Sequence, residues 1–331
     1  MRLLLITGAP RSGTTAVGYN LALPRSAGLL YEPFNYRSGI REIQRPFEMP
    51  GAGGFTEAQL DDIVDRIRKL DLQIKTGRRP EDTAMKSIAK TFVGSRSNLS
   101  YILCRLNPLL QTIVWKDPMA VFVSRDVAVR HGITTVATVR PPNAVAASYK
   151  RLNWQPDVEG LMAAFREKGW AADIPQAGIE PSAWTPAIRG AMIWAMVYKR
   201  LLAWVGETDL LHLINVQDIV DDPIGSYRDL YSLCELPWSE RVERAITASY
   251  AAKATAKKKA GGEALPQVAH VKNRDISRIN EYGKQLLTAD EKEIVAALTE
   301  ATWRDLRAVC TRHLARIRRP RPLDGPLAAA S

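Results

Sequence analysis

Arg2-Leu3-Leu4-Leu5-Ile6-Thr7 runs directly into Gly8-Ala9-Pro10-Arg11-Ser12-Gly13-Thr14-Thr15, and this junction decides how the chain folds. The first six residues are an apolar run of strand length. Gly8 and Gly13 then give the backbone the freedom of a tight turn, and an apolar-periodic helix follows from Thr14 to about Leu23. A strand that turns straight into a helix aims the helix's unpaired amides, and the positive end of its dipole, at whatever sits above the turn. Such a junction suits an anion. Ser12, Thr14 and Thr15 add hydroxyl donors, and Arg11 adds a cation.

Outward from this junction the pattern repeats. A second strand is predicted over 28–31, stopping at Glu32-Pro33, and a Gly- and Pro-rich surface loop over 37–55. Thr56 is a good N-cap for a helix at Glu57–Lys69. Thr112–Lys116, 133–139 and 210–216 read as further strands. The middle one passes through Arg140-Pro141-Pro142 into a helix over 143–151, where Pro142 is tolerated in the first turn. Helices are expected at 223–234, at 289–300 and, after a break, at 303–313. Strands alternating with helices imply a mostly parallel sheet with helices on both faces, an α/β fold. No internal repeat is visible.

With 331 residues and 46% apolar content, the chain can bury a substantial core and is not compositionally disordered. Forty-six Lys and Arg against 35 Asp and Glu leave a net charge of +11, which calls for an anionic partner. Cys104, Cys234 and Cys310 have neither metal-ligand nor disulfide-framework spacing and read as half-buried small hydrophobes of a reduced, cytoplasmic-type protein. The N-terminal apolar run is too short for a signal peptide. The stretch 187–206 carries Arg189, Lys199 and Arg200, which fits a core-facing helix better than a bilayer span.

The loop nearly matches the nucleotide-binding GxxxxGK[ST] pattern, but Thr14 stands where that pattern has lysine, and a cation is found inside the loop instead. Pro10-Arg11-Ser12-Gly13-Thr14-Thr15 resembles the 5′-phosphosulfate loop of sulfotransferases that use 3′-phosphoadenosine 5′-phosphosulfate (PAPS). That family's other fingerprint, an arginine at a strand end and a serine eight residues later, is matched by Arg140 and Ser148, which would hold the donor's 3′-phosphate. Pro141 departs from the family's usual aspartate and removes a helix cap. Trp115-Lys116-Asp117-Pro118 and Glu32-Pro33 are similar to elements of bacterial and carbohydrate sulfotransferases. The resemblance spans about 3–237 and implies a P-loop-type three-layer sandwich, with residues 1–317 as one domain and 318–331 as a disordered tail.

It further implies PAPS as donor, no metal, and a small-molecule or carbohydrate acceptor. Arg11 is the candidate stabiliser of the leaving oxygen. Glu32 is the candidate base, against a purely structural glutamate that caps its turn or pairs with Lys116; His131 and His270 compete for the role. Lys116 would steady the sulfuryl oxygens or only support the cleft wall. Residues 251–275 are a candidate donor-covering loop, with Lys272, Asn273 and Arg274 as contacts, and 152–186 a candidate acceptor-site connection. Two alternatives stand beside this reading. A degenerate P-loop kinase needs a replacement lysine and a magnesium carboxylate, for which Lys116 and Asp117 are available. A basic nucleic-acid binder lacks aromatics interleaved with its cations, so no specific nucleic-acid partner is expected. Acceptor identity and oligomeric state are not legible.

Overall fold

In the computed structural model of the chain, the residues described are 1–75, 95–255 and 285–318. Five strands, β1 (Arg2–Thr7), β2 (Ala27–Tyr31), β3 (Thr112–Lys116), β4 (Thr134–Val139) and β5 (Leu211–Asn215), form one sheet in the order β2-β3-β1-β4-β5. Every pairing is parallel. Each expected strand is present to within a residue at either end.

The sheet is buried on both faces because successive side chains alternate between them. Leu3 and Leu5 of β1 join Ile113 and Trp115 of β3 in one cluster, whereas Leu4, Ile6 and Val114 join another on the far side. The first face is covered by α2 (Glu57–Lys69), α4 (Ser124–His131), α5 (Pro142–Arg151), α6 (Val158–Glu167), α7 (Pro186–Trp204) and α11 (Ala289–Arg318). The second is covered by α1 (Thr14–Leu21), α8 (Val216–Asp221), α9 (Pro223–Leu233) and α10 (Glu240–Thr255). α3 (Arg96–Arg105) lies along β2, its Ser100 hydroxyl accepting from the Tyr31 amide at 2.8 Å. The result is the expected three-layer α/β sandwich.

Local sequence explains the principal helices. α2 buries Leu60, Ile63, Val64 and Ile67 at helical spacing, and Thr56 and Gln59 complete a reciprocal capping box at its start. α7 is apolar nearly all round and is buried accordingly. Among the described residues, no helix is long and apolar enough to cross a membrane. Cys104, Cys234 and Cys310 are buried and unbridged, and burial pushes each thiol up to about 12.

Two expectations need correction. α11 runs unbroken from Ala289 to Arg318, because nothing between 300 and 303 interrupts it: Ala301 and Thr302 are helix-compatible, and Thr302 is buried. Arg318 therefore belongs to this helix and not to a tail; 319–331 lie outside the described residues. Residues 251–255 close α10, and the rest of the candidate donor-covering loop lies outside the described residues. The connection 152–186 contains α6, whose Val158, Leu161 and Phe165 are buried.

One feature of the topology positions the site. The chain leaves β1 toward α1 on one face and leaves β4 toward α5 on the other, while β1 and β4 are adjacent. The two exit loops part above their strands and open a crevice at the carboxyl edge, where open α/β sheets bind ligands.

Candidate active site

The turn after β1 is a backbone conformation that few residues adopt. Gly8 has φ +131°, and a Cβ there would sit 2.5 Å from the Thr138 carbonyl oxygen of β4. Gly13, at φ +99°, is the N-cap of α1, and no side chain caps the helix. The first amides of α1 thus face the crevice with no intrahelical acceptor, as an anion site requires. Arg11 itself has φ +74°, an uncommon conformation for a residue with a side chain and one that clusters at functional sites.

Ser12 behaves differently from the expectation. Its amide donates to Ala9 O at 3.0 Å, and its hydroxyl pairs with the Thr138 hydroxyl at 2.8 Å in a buried position. It fastens the loop to β4 and does not offer its hydroxyl to the crevice. Pro10 and Thr14 are buried in the same turn, and Thr15 is half-buried.

The second cluster meets the first. Arg140 follows β4, and its Nη1 donates to Arg11 O at 3.0 Å. Arg11 Nε donates in turn to Ser148 Oγ on α5 at 3.0 Å. Arg140 and Ser148 are both buried. The backbone that presents them is anchored from α7: Trp194 Nε1 donates to Arg140 O at 2.9 Å, and the Tyr198 hydroxyl donates to Thr138 O at 2.6 Å. α5 begins with Pro142 and has no side-chain cap, as the loss of an aspartate at Pro141 implied.

A third group lies at the ends of β2 and β3. Lys116 is fully buried and donates to Glu32 Oε1 at 2.6 Å. Its stem passes over Gly18 of α1, where an added Cβ would come within 2.7 Å of Lys116 Cγ. Its ammonium stands 3.6 Å from the centroid of the Tyr31 ring. Glu32 has φ +49° and receives Asn35 Nδ2 at 2.9 Å. Burial pushes the Glu32 carboxyl up, but the charge and hydrogen bond of Lys116, with Asn35 and Tyr31, outweigh it and hold the group below its ordinary value.

Asp117 is fully buried behind this pair. It accepts from the amides of Phe34 at 2.5 Å and Met119 at 2.9 Å, so it ties the turn carrying Glu32 to the end of β3. Burial first, and then the negative charge of Glu32, push its carboxyl up to about 7. Asp117 is thus fully buried with each oxygen accepting from a backbone amide, and Lys116 is held by Glu32.

The structure therefore brings Arg11, Arg140 and Ser148 together and places Glu32 and Lys116 at the same edge of the sheet. His131 is elsewhere. It closes α4 just ahead of β4 and meets Asp61 Oδ1 at 2.8 Å. The six residues of β4 put about 20 Å between it and the carboxyl edge. Lys272, Asn273, Arg274 and His270 lie outside the described residues. Sequence reasoning missed Thr138, Trp194 and Tyr198 as supports of the loop and Gly18 as the gap that admits Lys116. A lone glycine inside α1, between Val17 and Tyr19, was the available signal for the last.

Similar solved structures are sulfotransferases. One is the sulfotransferase domain of the curacin biosynthetic pathway: identity is 14%, TM-score 0.43, with 90% of this chain and 97% of that one covered. The sulfotransferase domain of the Synechococcus PCC 7002 olefin synthase is 15% identical at a TM-score of 0.43, covering 93% of each chain. A sulfotransferase from Alicyclobacillus acidocaldarius is 15% identical at 0.41, covering 96% of this chain and 99% of that one. No family model matches the chain, and no curated protein does.

Proposed function

We propose that the chain is a sulfotransferase that moves the sulfuryl group of PAPS to an acceptor hydroxyl or amine. The observation that carries this reading is the junction of two cationic clusters at one crevice, Arg11 bonded to Ser148 and Arg140 bonded to the Arg11 carbonyl. A nucleotide with phosphates on both its 3′ and 5′ carbons matches two adjoining cation sites. The uncapped start of α1, with no lysine at Thr14, suits a single phosphate joined to the transferring group better than a triphosphate.

The donor supplies an activated sulfuryl group and a phosphate that can leave. The residues of this chain do the rest. Arg140 and Ser148 hold the 3′-phosphate, while Arg11 and the first amides of α1 hold the 5′ end. Glu32 takes the acceptor's proton as the new bond to sulfur forms in line with the breaking one. The electron pair of that broken bond goes to the bridging oxygen, where Arg11 and the α1 amides offset the developing charge. Lys116 keeps Glu32 ionised near neutral pH, so that it can accept a proton.

A calorimetric titration with 3′,5′-adenosine bisphosphate, followed by transfer from labelled donor to a panel of hydroxyl and amine acceptors, tests the assignment. Saturable binding at one site is the expected outcome. Tight binding of ATP with magnesium, and none of the bisphosphate, would replace this reading with a kinase.

A further inference from the structure

One face of α1 leads away from the anion loop. Thr15 begins it and Tyr19, four residues on, continues it about 6 Å along the axis. Tyr19 is 48% exposed, unusual for so large a side chain beside a crevice. Its ring lies 6.5 Å from that of Tyr31, the residue immediately before Glu32. Arg96, the first residue of α3, places its guanidinium 5.4 Å from the Tyr31 ring, the same ring that Lys116 approaches to 3.6 Å.

The two cations on Tyr31 are in different electrical states. Lys116 is buried and neutralised by Glu32. Arg96 is exposed, and among the described residues no carboxylate forms an ion pair with it. From Ser95 to Gln111 the chain contains no acidic residue at all. A second cation with no ion pair among the described residues, Arg37, follows the Glu32 turn and stacks on Tyr36 at 5.2 Å. The approach to Glu32 over α1 thus exposes one aromatic ring, Tyr19, backed by the buried ring of Tyr31, and ends in the positive charge of Arg96.

We propose that Tyr19 and Arg96 form an acceptor subsite for ring-shaped acceptors that carry an anionic group, a carboxylate, sulfate or phosphate ester, about one ring away from the hydroxyl to be modified. Tyr19 supplies the face on which a sugar or other ring rests, and Arg96 forks onto the anion. Anion-free acceptors leave Arg96 without a partner and are disfavoured. This inference rests on the sulfotransferase reading and deepens it.

The test compares a neutral methyl hexoside with the matching methyl hexuronide, using wild type, Arg96→Gln, Arg96→Glu and Tyr19→Ala, with 3′,5′-adenosine bisphosphate affinity measured on each. Arg96 and Tyr19 lie outside the donor crevice, so that affinity should be the same in all four proteins. The expected result is a preference of wild type for the hexuronide of at least about tenfold in kcat/KM. Arg96→Gln should erase the preference and Arg96→Glu should invert it, while Tyr19→Ala should raise KM for both acceptors. Normal bisphosphate binding with equal turnover of the two glycosides, or with turnover of neither, overturns the subsite and leaves the donor reading standing. Absence of bisphosphate binding in wild type overturns both.

Discussion

Arg11 is where the site's chemistry and its conformational strain coincide. Its backbone is held at positive φ by the turn, and its side chain already points along α5 to Ser148. Arg11→Ala should lower kcat about 10²–10³-fold, the usual effect of removing one donor aimed at developing charge; turnover equal to wild type would end its assignment. Arg140→Ala should weaken bisphosphate binding by roughly 1.5–3 kcal/mol, the range for a hydrogen bond to a charged group, and an unchanged Kd by calorimetry would remove Arg140 from the donor site. Asp117 makes a different, pH-dependent prediction. Its carboxyl is raised to about 7 in the folded chain and titrates near 3.8 when unfolded, so between those values the folded state holds the extra proton. The stability it contributes is complete below about pH 4 and is lost as pH rises through 7. Asp117→Asn cannot titrate, so its stability relative to wild type should improve from pH 5 to pH 8 in urea unfolding. A difference independent of pH would show that Asp117 does not titrate in this window.

At the scale of elements, the sequence was most readable where one local rule acted alone. The strands 112–116 and 2–7 and the capped helix at Glu57–Lys69 were each announced by a single dominant pattern. The elements that escaped reading are those whose apolar residues are shared among several partners. α4 and α6 are short, and only tertiary packing makes their burial evident: Val127 of α4 joins the cluster of Leu60 and Ile63, and Phe165 of α6 packs on Phe122. Likewise Arg11, Arg140 and Ser148 were singled out by their resemblance to a family's motifs, whereas Ser12's partner, Thr138, depends on a contact across 126 residues. The loop's close approach to β4 is tested by Gly8→Ala. The new methyl would meet the Thr138 carbonyl at a φ that side chains rarely adopt, so the loop must shift. Bisphosphate affinity should fall by at least about tenfold, with the fold retained by circular dichroism. Wild-type affinity would mean that the loop is not held in the geometry described.

For the molecule as a whole, the last helix acts as a clasp across the site's supports. α11 packs on α7, α5 and β5, and Glu291 near its start is buried against Lys150 at 2.6 Å and Thr185 at 2.9 Å. Burial pushes the Glu291 carboxyl up, but Lys150, the Thr288 amide and Thr185 outweigh it and hold it below its ordinary value. The stability it contributes is therefore present above about pH 4.5 and declines as pH falls below that. Glu291→Ala should destabilise the protein by about 1–3 kcal/mol at pH 7, with the deficit shrinking toward pH 3; urea titrations at the two pH values check both parts. Lys150 lies two residues beyond Ser148, so the same variant should also bind bisphosphate more weakly than wild type.

The contact between Arg11 and Ser148 has a consequence for how a ligand enters. In the proposed donor site the two cationic clusters bond to each other, Arg11 to Ser148 and Arg140 to the Arg11 carbonyl, as if the two were shaking hands. A nucleotide fragment bearing only one anion must part that grip and leaves one hand idle. A molecule with an anion at each end fills both at once. The intact nucleotide should therefore bind more tightly than the separate affinities of adenosine 3′-phosphate and adenosine 5′-phosphate imply.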